Sequence, residues 1–346
     1  MEAGSLTPLP GGGRSVLERS PLARLPDRAL FWILSALSLG ILALLVFFFT
    51  KLAIESSDVF QKEGFTSFVF SNDWNPSKSQ FGAFALVFGS IVTSALALII
   101  GVPIAVATAI FIVELCPVRL KGPLTVLVEL LAAVPSVVYG LWGVFFLIPK
   151  LRPAEQWAAD TFSFLPWVGG TVAGPSYFIA GLILAIMILP IVSAISREVI
   201  ATVPTDHKEA ALALGATRWE MIRTAVLPYS RAGISGAAML GLGRALGETI
   251  AVLLVIGNAP QIGDQIFAQG YTLAAVIANE FGEASTIPLY SSALFACGLL
   301  LFVVTLIVNA IARYVVRLGD PDVRARRAKK RTERAARKAA AAEGQA

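Results

Sequence analysis

The 346-residue sequence predicts an all-α membrane protein with six transmembrane helices and both termini in the cytoplasm. Three observations carry this. Hydrophobic residues make up 56% of the chain and charged residues only 15%, against about 45–50% and 25% in ordinary soluble domains. Several uncharged runs are long enough to cross a hydrocarbon core of about 30 Å. The 28 Lys and Arg are unevenly placed, with 22 on the segments that alternate to one side, 5 on the other, and Arg244 inside a span. The richer side faces the cytoplasm, because basic loops stay inside. Without the basic tail the count is still 11 to 5.

Residues 1–28 are rich in Gly, Pro and Ser and carry four arginines, which reads as a disordered basic lead-in. The membrane domain is expected over 29–318. Its first span is the uncharged run Ala29–Thr50, 22 residues long, longer than the apolar region of a secretory signal. The uncharged run 79–113 has 35 residues, about 50 Å as one straight helix. That is too short for two spans and a turn, so one long span from about Phe81 is expected, kinked at Gly101-Val102-Pro103. A third span covers about 122–149, interrupted by Pro135 and Gly140, with Glu129 as its only charge until the loop. A Gly/Pro-rich outer loop leads to a fourth span, about 176–196. The fifth, about 232–258, contains Arg244 and Glu248. Within the outer loop that follows, 271–283 reads as a short helix at the surface or dipping into the bundle. The sixth span covers about 287–312, and 319–346 is a basic cytoplasmic tail.

Several chemistries are excluded. The single histidine, His207, falls in a cytoplasmic segment, which leaves no buried His to activate a nucleophile. Cys116 and Cys297 sit in a short cytoplasmic connection and an apolar run, so neither a disulfide nor a metal site is expected. The placement of the basic residues matches topology and not nucleic-acid binding. No Gly-x-x-x-x-Gly-Lys-Ser/Thr occurs, so the chain itself offers ATP no P-loop. It is expected to be no enzyme, and to bind no cofactor.

The segment 197–231 is polar and helix-patterned. Asp206 with Glu209 three residues on predicts a capping box, and Glu209, Ala210, Ala211, Leu212 and Ala213 favour helix. Gly215 ends or bends that helix, and another starts near Trp219 and runs up to Pro228. A short helix near 205–216 is therefore presented to the cytoplasm, with small alanines allowing close approach of a partner. The spacing Glu209-Ala210-Ala211, Gly215 and Leu227-Pro228 resembles the EAA loop of prokaryotic ABC-importer permeases, except that Ala225 stands where that pattern has Ile. The resemblance implies a type I permease fold, and a coupling helix (Glu209, Ala210, Ala211, Gly215) docking into a separate ATPase subunit, on which ATP-Mg binds.

Within the membrane, Arg244 and Glu248 are four apart, which places them on one helix face. A charge facing lipid there costs ~3 kcal/mol by insertion scales. Either the two form a structural ion pair, or Arg244 meets an anion, for which its fork and permanent charge suit it. Glu248 then holds Arg244 or accepts a proton. Glu129 either joins Arg244 in a charge network or bonds neighbouring backbone. The glycines of Gly241-Leu-Gly243-Arg-Ala-Leu-Gly247-Glu read as helix-packing positions and not as a dinucleotide fingerprint, since no strand precedes them.

Three stretches narrow the resemblance: 129–143, from Glu129-Leu-Leu-Ala-Ala to Gly143; 241–258, ending in Ile256-Gly-Asn258; and Ala278-Asn-Glu-Phe281. They are similar to the PstC-type permeases of phosphate importers over about 30–318. That implies a translocation path with Arg244, Glu248 and Glu129, in a bacterial inner (plasma) membrane. It implies as partners a PstA-like permease in a heterodimer, two PstB-like ATPase subunits, and a PstS-like phosphate-binding protein. A permease for molybdate or sulfate, or a membrane sensor or structural subunit without transport, remain open at this stage. A secondary transporter would leave the EAA segment without a role.

Overall fold

The computed structural model describes residues 25–319; the lead-in 1–24 and the tail 320–346 lie outside the described residues. Two units separate, Met1–Ile54 and Glu55–Ala346. The first contributes most of helix α1 (Leu25–Glu55), whose apolar side chains are exposed, as suits a span solvated by lipid or by another chain.

The second unit begins with two short helices, α2 (Ser57–Glu63) and α3 (Phe65–Phe70), and a hairpin of β1 (Trp74–Asn75) and β2 (Gln80–Phe81). The strands are antiparallel with Trp74 opposite Phe81. The long apolar run then forms α4 (Phe84–Ile110), which continues through a π-helical turn at 111–115. The single long span expected from the sequence is present, 32 residues from Phe84 to Leu115 with Pro103 inside it.

The third expected span is broken. Helix α5 (Val118–Ala133) ends because Pro135 forces Val134 into an extended conformation (ψ 124°). Helix α6 (Ser136–Trp142) then leaves at 90°, and runs through a second π-helical turn into α7 (Ile148–Thr161). The fourth span, α8 (Tyr177–Ala201), starts where the Ser176 hydroxyl accepts the Ile179 amide N–H at 3.3 Å.

The cytoplasmic segment folds as α9 (Thr205–Ala213) and α10 (Arg218–Met221), the latter entering α11 (Leu227–Gly247) through a third π-helical turn. The fifth span is also not continuous. It stops at Gly247, Glu248 is extended (ψ 131°), and only the short α12 (Ile250–Val255) follows. Helix α13 (Leu273–Glu280) dips into the bundle: Leu273, Ala274, Ala275 and Val276 are buried, and the Ser90 hydroxyl of α4 accepts the Leu273 amide N–H at 3.0 Å. The last span is α14 (Tyr290–Gly319). Among the described residues four helices are long and apolar enough to cross a membrane unaided, and the bent α5–α7 segment makes a fifth. Helix α11 has the length, 21 residues, but carries Arg231 and Arg244.

The centre of the bundle is the crossing of α4 and α8. Ala97 and Ala105 of α4 are fully buried there, as are Ile183 and Ile188 of α8. A Cβ on Gly101 would lie 2.9 Å from the Ala185 carbonyl oxygen, so only glycine permits this approach. At the far end Glu280 gathers the hairpin and the last span. Its Oε2 accepts Trp74 Nε1–H at 2.9 Å and the Tyr290 hydroxyl. Burial, and secondly the Glu280 charge, push the Tyr271 phenol up from its ordinary value. Both cysteines are buried free thiols.

The Gly101→Val variant should lose about 1–3 kcal/mol, the usual cost of overpacking. A lower Tm of the detergent-solubilised protein would register it. An unchanged Tm would mean that the crossing has slack.

Candidate functional site

The cytoplasmic helix α9 is attached to the bundle on one side and bare on the other. Ala211 is half-buried against a cluster of Ala109, Ile110, Ile200, Val203, Met221, Ile222 and Val226. Glu209 and Ala210 are exposed. Of the two alanines expected at a partner groove, therefore, Ala211 serves the chain's own packing. The expected capping box at Asp206–Glu209 does not form: the N-terminal position is Pro204, which makes no side-chain cap bond. The box forms one helix later. Thr217 Oγ1 accepts the Glu220 amide N–H, while Glu220 Oε2 accepts the Thr217 amide N–H at 2.7 Å. Gly215 adopts φ +85° with open space around it, the left-handed conformation that closes a helix. The turn it makes leaves Leu214 90% exposed and Trp219 63% exposed. Such large apolar residues bare in a polar segment mark a surface awaiting a partner. From the sequence Trp219 stood only as the start of a helix and Leu214 was not singled out; a tryptophan between Arg218 and Glu220 was the available signal.

Two ion pairs bind this end of the bundle together. Lys208 Nζ of α9 lies 2.6 Å from Glu114 Oε1, in the π-helical turn that ends α4. Arg197 Nη2 of α8 lies 2.7 Å from Glu129 Oε1 of α5. Glu129 thus pairs with Arg197, and neither of its expected roles, a network with Arg244 or a bond to backbone, is what the structure shows. Spacing along the chain could not reveal a contact between residues 68 apart.

The intramembrane charges also part company. Because α11 ends at Gly247, Glu248 no longer shares a helical face with Arg244. Its carboxylate instead accepts the Ala251 amide N–H of α12 at 3.4 Å. Among the described residues no side chain forms an ion pair or hydrogen bond with Arg244, so the structural-pair alternative is not realised. Arg244 is exposed and lines a groove of about 620 Å³ with Ile191, Gly236, Met239, Leu240, Gly243, Asn309 and Arg313. Its depth follows from its neighbours. A Cβ on Gly241 would lie 2.8 Å from Val192 and 3.5 Å from Ile188, both near the middle of the 25-residue α8. Arg244 is one turn further on, at the middle level of the span. Gly241 is a packing glycine, as expected. Gly243 and Gly247 meet nothing within 4 Å, so their faces are open.

This architecture of interrupted apolar helices around an α4–α8 core, with a loop helix standing off one end, is that of a multi-pass membrane permease subunit of an ABC importer. Residues 101–318 match the family described as "Binding-protein-dependent transport system inner membrane component". The "Phosphate transport system permease protein PstC" of Mesorhizobium japonicum is 49% identical over 72% of this chain and 78% of its own length. The protein of the same name from Pasteurella multocida is 45% identical over 77% and 84%, and PstC 2 of Mycobacterium tuberculosis is 42% identical over 81% and 87%. A chain of a bacterial ABC transporter for alginate superposes with a TM-score of 0.56 at 20% identity, covering 84% of this chain and 97% of that one, and supports the type I permease fold. The chain belongs to the binding-protein-dependent inner-membrane permeases and, within them, to the PstC family. Members of this family are permease subunits and not enzymes; they work with separate ATPase and binding-protein subunits.

The capping box gives a pH expectation. The Thr217 backbone N–H and then its hydroxyl hold the Glu220 carboxyl below the usual carboxylate range. A depressed folded value means that the contribution is complete above the ordinary carboxylate pKa and disappears as pH falls through the lowered one. Hydrogen exchange over 217–222 should show faster local opening in Glu220→Gln at neutral pH, and wild type should match the variant only in acid. Equal protection of the two at neutral pH would remove the box from the account.

Proposed function

We propose that this chain is the phosphate-conducting permease of an ATP-driven importer in a bacterial inner membrane, with six spans and both termini cytoplasmic. It would pair with a PstA-like permease, bind two PstB-like ATPase subunits that hold ATP-Mg, and receive phosphate from a PstS-like binding protein. The observation that carries the reading is Arg244: a guanidinium without a protein partner among the described residues, facing a groove at the middle of the bundle. An unpaired cation at that depth is costly against lipid, and a tetrahedral oxyanion compensates it with paired charge-assisted hydrogen bonds. The names of the relatives favour phosphate among oxyanions.

In this reading the binding protein opens onto the outer loops, and ATP closes the ATPase dimer on α9. Glu209, Ala210, Leu214 and Trp219 meet the ATPase cleft, with Gly215 setting the angle of the helix. The closure alternates access to the groove, and phosphate passes Arg244. Glu248 keeps the α11–α12 break in shape, which holds the arginine at the mouth of that break. It neither neutralises Arg244 nor needs to move for the anion to bind. Glu129 acts at a distance from the path, through Arg197.

The test is uptake of radiolabelled phosphate at limiting concentration in a deletion strain lacking parallel phosphate importers, rescued by wild type or by Arg244→Ala. Wild type should restore uptake that excess sulfate or molybdate does not compete with. Arg244→Ala, present in the membrane at equal level, should lower it about ten- to hundredfold, the worth of a charge-assisted hydrogen bond. Arg244→Lys should recover only part, since a point charge cannot replace the fork. Uptake suppressed by sulfate or molybdate would reassign the substrate. Full activity of Arg244→Ala would remove Arg244 from the path.

A further inference from the structure

The reading of α9 as the helix that receives the ATPase leaves open how its movement reaches the core of the bundle, and the inference below rests on that reading. Two kinds of contact hold α9 to the bundle. One is apolar: Ala211 against the cluster of Ala109, Ile110, Ile200, Val203, Met221, Ile222 and Val226, where α9 packs on the 222–226 turn. The other is the Lys208–Glu114 pair at 2.6 Å, whose side chains are 18% and 9% exposed. They differ in what they transmit. An apolar contact is non-directional; it resists being pressed together, but two smooth surfaces slide and separate. A charge-assisted hydrogen bond has a fixed length and direction, and separating this one leaves a charge largely buried without a partner. A transport cycle moves the loop helix both toward and away from the bundle. The backbone links α9 to α8 and α10; of the two non-covalent contacts only the polar one can pull, and it pulls on the end of α4.

Glu114 is placed for this. It lies in the π-helical turn 111–115, where the Cys116 amide N–H reaches back to the Phe111 carbonyl at 2.8 Å. From the first turns of α5, Lys121 Nζ donates to the Val113 carbonyl at 2.6 Å, fastening the same turn to the next helix. A force on Lys208 therefore arrives at the junction of α4 and α5. From there α4 carries it to the Gly101–Ala185 crossing, and α5 carries it through Glu129 to Arg197 of α8.

We propose that the Lys208–Glu114 pair is the tie that makes α4 follow the ATPase-docking helix in both directions of the cycle, so that ATP hydrolysis and substrate movement stay coupled. Lys208 and Glu114 are positioning residues: they touch neither nucleotide nor phosphate, and act through α4.

The test uses the full complex, this chain with its partner permease, ATPase and binding protein, reconstituted in proteoliposomes. Phosphate moved and ATP hydrolysed are measured together for wild type, Lys208→Glu, Glu114→Lys and the charge-swapped double variant. The single reversals should retain the ATPase subunit and hydrolyse ATP. The phosphate moved per ATP should fall about tenfold, within the usual range of coupling between sites, and the swap should return to within about twofold of wild type. A merely structural pair would lower transport and hydrolysis together and leave their ratio unchanged, which would overturn the proposal. So would a swap that assembles but stays as uncoupled as the singles, or loss of ATPase binding in all three variants.

A readout without phosphate separates this from the functional reading. On adding a non-hydrolysable ATP analogue, hydrogen exchange should change at both 205–216 and 111–121 in wild type, but only at 205–216 in the single reversals. If wild type itself shows no change at 205–216, the docking reading of α9 fails. If the change at 111–121 survives the single reversals, the docking reading stands and the tie does not.

Discussion

Inside a bilayer a helix that stops must find partners for its own freed backbone groups, because no water is there to supply them. Two of the helices here stop within the membrane domain, and each interruption is repaired by a side chain from just beyond the break. At Val134–Pro135, the Leu131 carbonyl of α5, which keeps only a 3.4 Å bond from the Val134 amide N–H, also accepts the Tyr139 hydroxyl from α6 at 2.8 Å. At Gly247–Glu248, the Glu248 carboxylate takes the Ala251 amide N–H at the start of α12. The two repairs lie side by side: α6 packs on α12, where a Cβ on Gly140 would stand 3.1 Å from the Ala251 Cα. The remainder of the site depends on this. Because the helix stops at Gly247, Glu248 is turned to the Ala251 amide and off the helical face of Arg244, which among the described residues has no side-chain ion pair or hydrogen bond.

The cost of that arrangement explains the packing around it. Arg244 is tolerable only if its face is kept from lipid, and α11 is held to α8 by close contact at Gly233 and Gly241, where an added Cβ would lie 2.5 Å from Val199 and 2.8 Å from Val192. Those glycines fix one face of α11 against the core. Gly236, Gly243 and Gly247 lie on a neighbouring stripe of the helix, where an added Cβ would meet nothing within 4 Å. Helix α11 is thus divided between a stripe bound within the chain and a stripe left open.

Much of this was legible in the sequence, and the parts that were not share a cause. Uncharged run length located α4, α8 and α14 to within a few residues, because hydrocarbon thickness sets the length of an unbroken span. The helix at α9 and its closure at Gly215 were readable from propensity and a glycine. The interruption at Pro135 was legible from the proline itself, but Gly140 does not interrupt, and the stop at Gly247-Glu248 was not foreseen, since nothing in the sequence there marks a break and the Ala251 amide that Glu248 takes up announces nothing in isolation. The i, i+4 spacing of Arg244 and Glu248 was sound only on the premise of an intact helix; once the helix stops, the two carry different duties. Likewise Glu129 and Glu114 were visible as charges, but their partners Arg197 and Lys208 come from other helices, 68 and 94 residues away. The capping box was assigned to Asp206, although the competing Thr217-x-x-Glu220 also fits the pattern. Pro204 at the cap position makes no side-chain bond, so the first site lacks the geometry that a box requires.

The charges then sort by depth, and the sorting has a mechanical sense. At one end Glu280 binds the hairpin and α14 to α13, and at the other Lys208–Glu114 and Glu129–Arg197 bind α9, α4, α5 and α8. Between them lie apolar crossings of small residues, the two polar repairs at Leu131–Tyr139 and Glu248–Ala251, and Arg244. Each repair is local to its own break, so in the proposed reading groups of helices tilt against one another with these bonds intact. The polar ties move with the bodies they join, and in the proposed reading the guanidinium of Arg244 is what the passing anion meets.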